Sequence, residues 1–270
     1  MNIWDWLAAL VLGFVEGMTE FAPVSSTGHM IIVDDVLFKT KERFSQEAAN
    51  TFKVVIQLGS IMAVVVLMRE RFVQLLRMSR SDGSRLHLLK LAVGLIPFGV
   101  LGLLFHDDID EYLFSTTTVI IGLVAGALLM IVADRVSRRR TSTESVDRIT
   151  YKQALVMGLF QCLALWPGFS RSGSTISGGV MLGMSHRAAA DFTFIMAVPI
   201  MAGASFISLW KHWDSITADV VPFFASGFIS AFAFALLSIR FFLKLINRIK
   251  LVPFAIYRLL LAAVIYVVFL

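Results

Sequence analysis

Residues 13–29, GFVEGMTEFAPVSSTGH, and residues 158–174, GLFQCLALWPGFSRSGS, align without gaps at an offset of 145 positions. Both stretches begin with glycine, carry an acidic or amide residue at the fourth position and run into a Ser-rich turn. Interrupted apolar segments at corresponding positions of two halves are typical of membrane folds with inverted repeats. Chance similarity between two Gly/Ser-rich stretches is the alternative.

The composition is that of an integral membrane protein. Of 270 residues, 57% are hydrophobic and 16% charged, and the mean hydropathy is +0.80. Soluble domains carry about 45–50% apolar and about 25% charged residues, so an ordinary soluble enzyme, a coiled coil and a disordered chain are excluded. The net charge of +5 reflects where loops lie relative to the bilayer, and no nucleic-acid partner is expected. A single cysteine, Cys162, excludes an intramolecular disulfide framework.

Eight apolar runs are candidate membrane segments. They are residues 6–31, 54–68, 88–105, 117–133, 153–184, 192–209, 220–239 and 251–270. Six are typical of plain crossings, which need about 20 mainly apolar residues. The runs at 6–31 and 153–184 are interrupted by Pro, Gly and Ser and carry charge, so each must be surrounded by protein or a water-filled cavity. Residues 1–38 contain no Lys or Arg, so no cleaved signal peptide is expected.

The basic residues predict the orientation. Three loops, 69–90, 135–152 and 240–250, carry 16 of the 24 Lys and Arg residues, and the positive-inside rule places them in the cytoplasm. Three apolar runs separate the second basic loop from the third, so the run at 153–184 must enter and leave on one side. The loop at 106–115 is acidic instead, with Asp107, Asp108, Asp110 and Glu111. By the repeat symmetry, both termini are expected outside.

The predicted fold is an all-α polytopic membrane protein with an inverted-topology repeat, six transmembrane helices and two re-entrant helical hairpins. It forms a single integral membrane domain over residues 1–270. Repeat one covers about 1–133, a cytoplasmic linker about 134–152 and repeat two about 153–270. Paired broken segments of such repeats place a polar site near the midplane. Gly122 and Gly126 form a G-x-x-x-G pair, which favours close helix packing.

Two carboxylates lie in the first interrupted segment. Glu16 and Glu20 are four residues apart and share one helix face among apolar neighbours. Carboxylates at membrane depth are costly unless paired or liganded, and two of them suit a hard cation such as Mg²⁺ or Ca²⁺. We predict a metal-binding or catalytic role, against the alternative of a helix-end pair facing water.

A cluster of hydroxyls and a histidine follows. Ser25, Ser26 and Thr27 can cap a helix that starts near His29, and helix N-termini bind phosphate. His29 can act as a general acid or base, or assist a nucleophilic hydroxyl. Capping alone explains one hydroxyl but not the cluster.

The second interrupted segment repeats the turn and adds an arginine. Arg171 lies between Ser170 and Ser172. An intramembrane arginine faces a polar interior, and its guanidinium matches phosphate oxygens in a bidentate fashion. A structural ion pair with Glu16 or Glu20 is the alternative, and both arrangements can hold when no substrate is bound.

Together these groups predict phosphoryl transfer from a substrate with a phosphate head and an apolar tail, a reaction that depends on positioning and charge stabilisation. Gln57, within an apolar run, is expected to hydrogen-bond inward, towards the site. The other histidines fall in or beside predicted loops and are expected to be solvated: His87, His106, His186 and His212.

Residues 16–29 and 167–175 closely resemble the two signature motifs of the bacterial undecaprenyl-diphosphate phosphatase family, also called bacitracin-resistance proteins. The likeness covers the whole chain, including FKVVIQLG at 52–59 and PFAIYR at 253–258. It implies hydrolysis of the C55 isoprenyl diphosphate to its monophosphate, a step that recycles the lipid carrier of cell-wall synthesis. It also implies a multi-pass protein of the bacterial inner membrane, with a Mg²⁺- or Ca²⁺-dependent site open towards the periplasm.

The resemblance also implies roles for individual residues. Glu16 and Glu20 would serve metal binding and catalysis, Ser26 would be the nucleophile, His29 the acid or base, and Arg171 the phosphate ligand. The remaining pocket residues would contact the substrate: Ser25, Thr27, Ser170, Ser172 and Gln57. Two positions depart from the family pattern, because Lys53 stands where an acidic residue is expected and Ala22 where a larger aliphatic residue is common.

The main rival function is transport. Inverted repeats with broken helices are also transporter architecture, so the same cavity could pass an anion or flip a lipid phosphate. Two carboxylates beside a Ser-Ser-x-x-His cluster favour the hydrolase, since a simple anion path gains nothing from them. The expected partners are an isoprenyl diphosphate and membrane lipids; the oligomeric state stays open, with a homodimer as one alternative.

Overall fold

The computed structural model describes residues 2–76, 86, 88–105, 109, 112–113, 115–137, 142–211, 213 and 219–270. Within these ranges every regular element is helical, and the one β-bridge is an isolated pair, Thr143 with Met184. The predicted all-α class is therefore confirmed for this part of the chain. Several residues discussed above lie outside the described ranges: His87, His106, Asp107, Asp108, Asp110, Glu111 and His212.

The helices are described in chain order. They are α1 (Ile3–Thr19), α2 (Ser26–Met30), a π-helix (Ile31–Phe38), α3 (Thr40–Arg43), α4 (Gln46–Leu67), α5 (Arg69–Leu76), α6 (Leu88–Leu104), α7 (Thr116–Ser137), α8 (Tyr151–Cys162), α9 (Arg171–Met181), α10 (His186–Lys211), α11 (Val221–Ile249) and α12 (Val252–Phe269). Short 3₁₀ turns occur at Val146–Arg148 and Leu163–Leu165.

Five helices, α4, α7, α10, α11 and α12, are long and apolar enough to cross a membrane, and α6 is a shorter apolar helix of 17 residues. These six helices coincide with the six runs predicted as plain crossings. The run at 54–68 looked short, but its helix begins at Gln46 and reaches 22 residues. The chain is therefore a multi-pass membrane protein.

Both interrupted runs fold as a helix, a break and a second helix. α1 ends before the first Ser-rich turn and α8 before the second. The caps of the following helices match, because Ser25 and Ser170 have φ of 72° and 69° and their side chains accept hydrogen bonds from the N–H of Gly28 and Gly173. The first of these helices begins at Ser26 and not near His29 as predicted, since Ser25 is its cap.

The first helix of each interrupted run packs against a helix of the other half of the chain. α1 contacts α11 and α8 contacts α6. A Cβ added to Gly13 would lie 2.4 Å from the Gly227 carbonyl oxygen, and one added to Gly158 would lie 2.2 Å from the Gly94 oxygen. Glycine at these equivalent positions lets the backbones approach closely, so that each Ser-rich turn is brought towards the protein interior.

The G-x-x-x-G pair of α7 packs differently from the prediction. A Cβ on Gly122 would lie 2.4 Å from the Pro167 carbonyl oxygen, and one on Gly126 would lie 2.5 Å from the Phe169 oxygen. The backbone in close approach is thus the turn that precedes α9, and a second helix, α12, contributes the Arg258 guanidinium, whose Nη2 would lie 2.4 Å from the Cβ on Gly126. α7 forms the wall against which the Arg171 turn rests.

His186 is not solvated as predicted. It is 8% exposed, and its Nε2 donates to Asp134 Oδ1 at 2.7 Å. The other carboxylate oxygen of Asp134 accepts from the N–H groups of Leu251 and Val252, both at 2.9 Å. This network joins the ends of α7, α10 and α12. Asp134 lies at the end of α7 because this helix continues through Ser137, into the predicted linker.

Candidate active site

The two Ser-rich turns meet at an ion pair between residues 151 positions apart. Arg171 Nη2 donates to Glu20 Oε1 at 2.5 Å, and Ser26 Oγ donates to Glu20 Oε2 at 2.6 Å. The side chains of Glu20 and Arg171 are only 8% and 12% exposed. Both oxygens of one carboxylate are therefore engaged, and the predicted alternative of a Glu–Arg pair is the arrangement seen.

Glu16 lies in α1, four residues before Glu20, which is the C-cap of this helix, and is 5% exposed. Its Oε1 is buried and has no hydrogen-bond partner in the described part of the chain. Two carboxylates in an apolar environment repel each other and lose hydration, and within the described part of the chain no donor compensates Glu16 Oε1 for that loss. No cluster of three or more His, Cys, Asp or Glu side chains suited to a metal occurs among the described residues.

His29 belongs to a second network. Its Nδ1 lies 2.8 Å from the Ser25 carbonyl oxygen and its Nε2 lies 2.7 Å from the Tyr257 hydroxyl. A carbonyl can only accept, so Nδ1 carries the proton and Nε2 of the neutral ring accepts from Tyr257. The rings of His29 and Tyr257 are stacked, with 5.6 Å between their centroids. Ser26 donates to Glu20 and not to His29, so the carboxylate of Glu20 is the acceptor beside this hydroxyl.

The serines of the second turn hold the two halves of the site together. Ser172 Oγ donates to the Ala22 carbonyl at 3.1 Å and lies 3.2 Å from Ser170 Oγ. Thr175 Oγ1 donates to the Arg171 carbonyl at 2.7 Å. These hydrogen bonds fix the backbone of the turn that carries Arg171 and thereby the position from which its side chain extends.

Three residues singled out in the sequence lie outside these networks. The side chains of Thr27 and Gln57 are half-buried and make no hydrogen bond within the described part of the chain, so the inward hydrogen bond expected of Gln57 is not seen. Lys53 donates to Asp34 Oδ2 at 2.9 Å, and Asp34 is fully buried within the π-helix. The unexpected lysine at this position therefore neutralises a buried carboxylate.

The comparisons with known proteins identify the family of this chain. The family model described as bacitracin resistance protein BacA matches residues 9–264. The chain belongs to the BacA family. A relative named undecaprenyl-diphosphatase from Geobacillus sp. (strain WCH70) is 67% identical over 100% of both chains. The proteins of the same name from Anoxybacillus flavithermus and Bacillus subtilis are 67% and 61% identical, with at least 99% of each chain covered.

Two residues of this BacA family member were missed as site residues in the sequence. Tyr257 contacts His29, and Arg258 contacts the backbone of the second turn. Both lie in the PFAIYR stretch, which carries the family resemblance. The signal available was an arginine inside an otherwise apolar run, the same signal that singled out Arg171.

Proposed function

We propose that this chain hydrolyses undecaprenyl diphosphate to undecaprenyl phosphate and inorganic phosphate, and so recycles the lipid carrier of cell-wall synthesis. The observation that carries the proposal is the network of Ser26, Glu20 and Arg171, which joins a hydroxyl, a carboxylate and a guanidinium at the meeting point of two broken segments. The names of relatives at 60–67% identity support it.

In the proposed mechanism Arg171 binds the non-bridging oxygens of the terminal phosphate. Ser26 Oγ attacks the terminal phosphorus while Glu20 accepts its proton, which is the pattern of a nucleophile, a base and an orienting group. The bond from this phosphorus to the bridging oxygen breaks, and the lipid monophosphate leaves with the electron pair. Water then hydrolyses the phosphoserine, with His29 as acid or base through Nε2.

The residues present fit a divalent cation. Glu16, with its unpartnered Oε1, and Glu20 would hold Mg²⁺ or Ca²⁺, since Mg²⁺ in phosphate sites is held by one or two carboxylates together with the substrate oxygens. When bound, the cation would neutralise part of the charge of the diphosphate.

We further propose six crossings, α4, α6, α7, α10, α11 and α12, and two re-entrant hairpins in an inverted repeat, with the repeats at about 1–133 and 153–270. The matching caps at Ser25 and Ser170 support the repeat. In the bacterial inner membrane the basic loops would face the cytoplasm and the site the periplasmic side. Cys162→Ser gives a cysteine-free background, in which cysteines placed near either terminus should react with an impermeant thiol reagent added from outside.

The test of the activity is phosphate release from farnesyl or undecaprenyl diphosphate by the purified protein, with Mg²⁺, with Ca²⁺ and with EDTA. Glu20→Gln and Arg171→Ala should each lose about 10²–10³-fold in kcat, the usual effect of removing one charge-stabilising group. Arg187→Ala is the matched control, because Arg187 is paired with Asp191, not with any of the site residues. Absent release would contradict the proposed hydrolysis, and release that EDTA does not lower would contradict the proposed role of the cation.

Transport of a lipid phosphate is the rival outcome of the same experiment. A wild type without phosphate release that moves a labelled lipid phosphate across vesicle membranes would favour it. In that case Ser26→Ala should leave the transport rate largely intact, whereas the hydrolase requires this hydroxyl for turnover.

A further inference from the structure

Arg258, in the middle of α12, is 0% exposed. Its Nη2 donates to the carbonyl oxygens of Gly168 at 2.8 Å and Gly122 at 3.1 Å, while Nε has no partner. No carboxylate among the described residues pairs with it. A buried charge without a counter-ion is costly, and inside a membrane protein it is a functional candidate by default.

The backbone that Arg258 holds is the one that carries Arg171. Gly168 has φ of +88° and lies in the turn directly before α9. A Cβ placed on Gly173 would be 3.0 Å from Arg258 Nη1 and 3.3 Å from Ser170 Oγ. The guanidinium therefore lies directly behind the Ser170–Gly173 turn and ties it to the wall formed by α7.

We infer that Arg258 is a positioning residue for diphosphate binding: it fixes the 168–173 turn so that Arg171 faces the terminal phosphate, and its uncompensated charge favours the diphosphate over the less charged monophosphate product. The inference rests on the proposed function, since it assigns the turn to the diphosphate head. Two of its consequences are separable. The two hydrogen bonds need a nitrogen at the position of Nη2, which donates both of them, whereas the charge needs only a cation.

Variants at this position separate the two contributions. Arg258→Met keeps the length of the stem but removes both hydrogen bonds and the charge, and it should raise KM for farnesyl diphosphate about 10- to 100-fold, as expected for losing hydrogen bonds from a charged donor. Arg258→Lys keeps the charge, but its ammonium ends about one bond short of the Nη2 position that reaches both carbonyls, so its KM should lie between those of wild type and Arg258→Met. Inhibition by inorganic phosphate should change less than KM.

The matched control is Asp134→Asn. Asp134 accepts a hydrogen bond from the N–H of Leu251, which lies at the start of α12, seven residues before Arg258. A purely structural role for Arg258 predicts that the control and the Arg258 variants lower Tm alike with KM unchanged. The inference predicts that Asp134→Asn lowers Tm without raising KM, whereas the Arg258 variants raise KM.

If both Arg258 variants keep the turnover and the KM of the wild type, the inference is overturned while the proposed function stands. If the wild type releases no phosphate, the proposed function fails, and the rise in Tm caused by inorganic diphosphate still tests Arg258. That rise should be present in the wild type and in Asp134→Asn and lost in Arg258→Met. An equal rise in all three would overturn the inference, and if Arg258→Met does not fold, Arg258→Lys answers the same question.

Discussion

The sharpest test of how the second turn is positioned is a single methyl group on α7. Gly122 lies against the turn, and a Cβ there would be 2.4 Å from the Pro167 carbonyl oxygen, 3.0 Å from Phe169 N and 3.1 Å from Trp166 Cδ1. Two of these atoms belong to the backbone, so a side-chain rotation cannot relieve the overlap. Gly122→Ala must displace the turn or α7 itself.

The size of the effect follows from these distances. An ordinary van der Waals contact begins near 3.4 Å, so the contact of 2.4 Å must open by about 1 Å. Arg171 follows four residues after Pro167 and reaches Glu20 at 2.5 Å, so the same shift would part this pair. A 1 Å misplacement in an active site can cost about 10²-fold in rate, and overpacking costs typically about 1–3 kcal/mol of stability.

The measurements are kcat/KM for farnesyl diphosphate and Tm in the same detergent. Gly99→Ala and Gly203→Ala are the controls, because an added Cβ at either helical position meets nothing within 4 Å. Both controls should keep their turnover, and alanine should leave Tm equal or higher, since glycine is the poorer helix former. Turnover of Gly122→Ala within two- to threefold of wild type, as in the controls, would refute the reasoning that the fit of the turn against α7 positions the site.

Three other changes give separate tests. Ser26→Ala should lower kcat by about 10²-fold or more, because the hydroxyl and its base act together, whereas Ser26→Thr, which keeps a hydroxyl, should retain more activity; equal turnover in both would contradict a nucleophilic role. Tyr257→Phe removes the hydrogen bond to His29 Nε2 but keeps the stacked ring, so kcat should fall about threefold to tenfold, the worth of one neutral hydrogen bond, with Tm unchanged; an unaltered kcat would show that this bond does not serve turnover. Burial raises the pKa of Asp147, but hydrogen bonds and charge from Arg71 outweigh burial and hold this pKa below its usual value. The pair therefore stabilises the fold fully above the unfolded pKa of about 4 and progressively less as the pH falls through the folded pKa. Tm measured against pH should decline less steeply in acid for Asp147→Asn than for wild type.

The sequence predicted those features that follow from hydropathy and charge. The six apolar runs became six helices, and the interruption of the other two followed from Pro, Gly and Ser within an apolar stretch. The Glu20–Arg171 contact was foreseen as an alternative, because an intramembrane arginine needs a partner. The choice between Glu16 and Glu20 was not foreseeable, since it depends on how the two broken segments face each other.

What the sequence could not predict depends on packing between distant segments. His186 was expected in solvent because it lies next to a loop, but the ends of α7 and α12 close over it. Close packing at Gly122 and Gly126 was predicted, but the backbone that approaches Gly122 is an irregular turn, which a G-x-x-x-G pattern does not distinguish from a helix. Tyr257 lacks a periodic or charge signal of its own, and only its contact with His29 identifies it.

The resting state of the proposed mechanism explains why the same ion pair can be both structural and catalytic. Without substrate, Glu20 holds Arg171 and Ser26 at once, so neither the guanidinium nor the carboxylate is left uncompensated in the apolar interior. A diphosphate that enters competes with Glu20 for Arg171, because phosphate offers the guanidinium two oxygens, whereas Glu20 accepts from Nη2 with one. When Arg171 moves from Glu20 to the phosphate, the carboxylate loses its counter-charge and becomes a stronger base for the proton of Ser26. In Arg171→Lys the ammonium could still neutralise Glu20 but could not bridge two phosphate oxygens, so stability should be largely kept while KM rises, a separation that a purely structural ion pair would not produce.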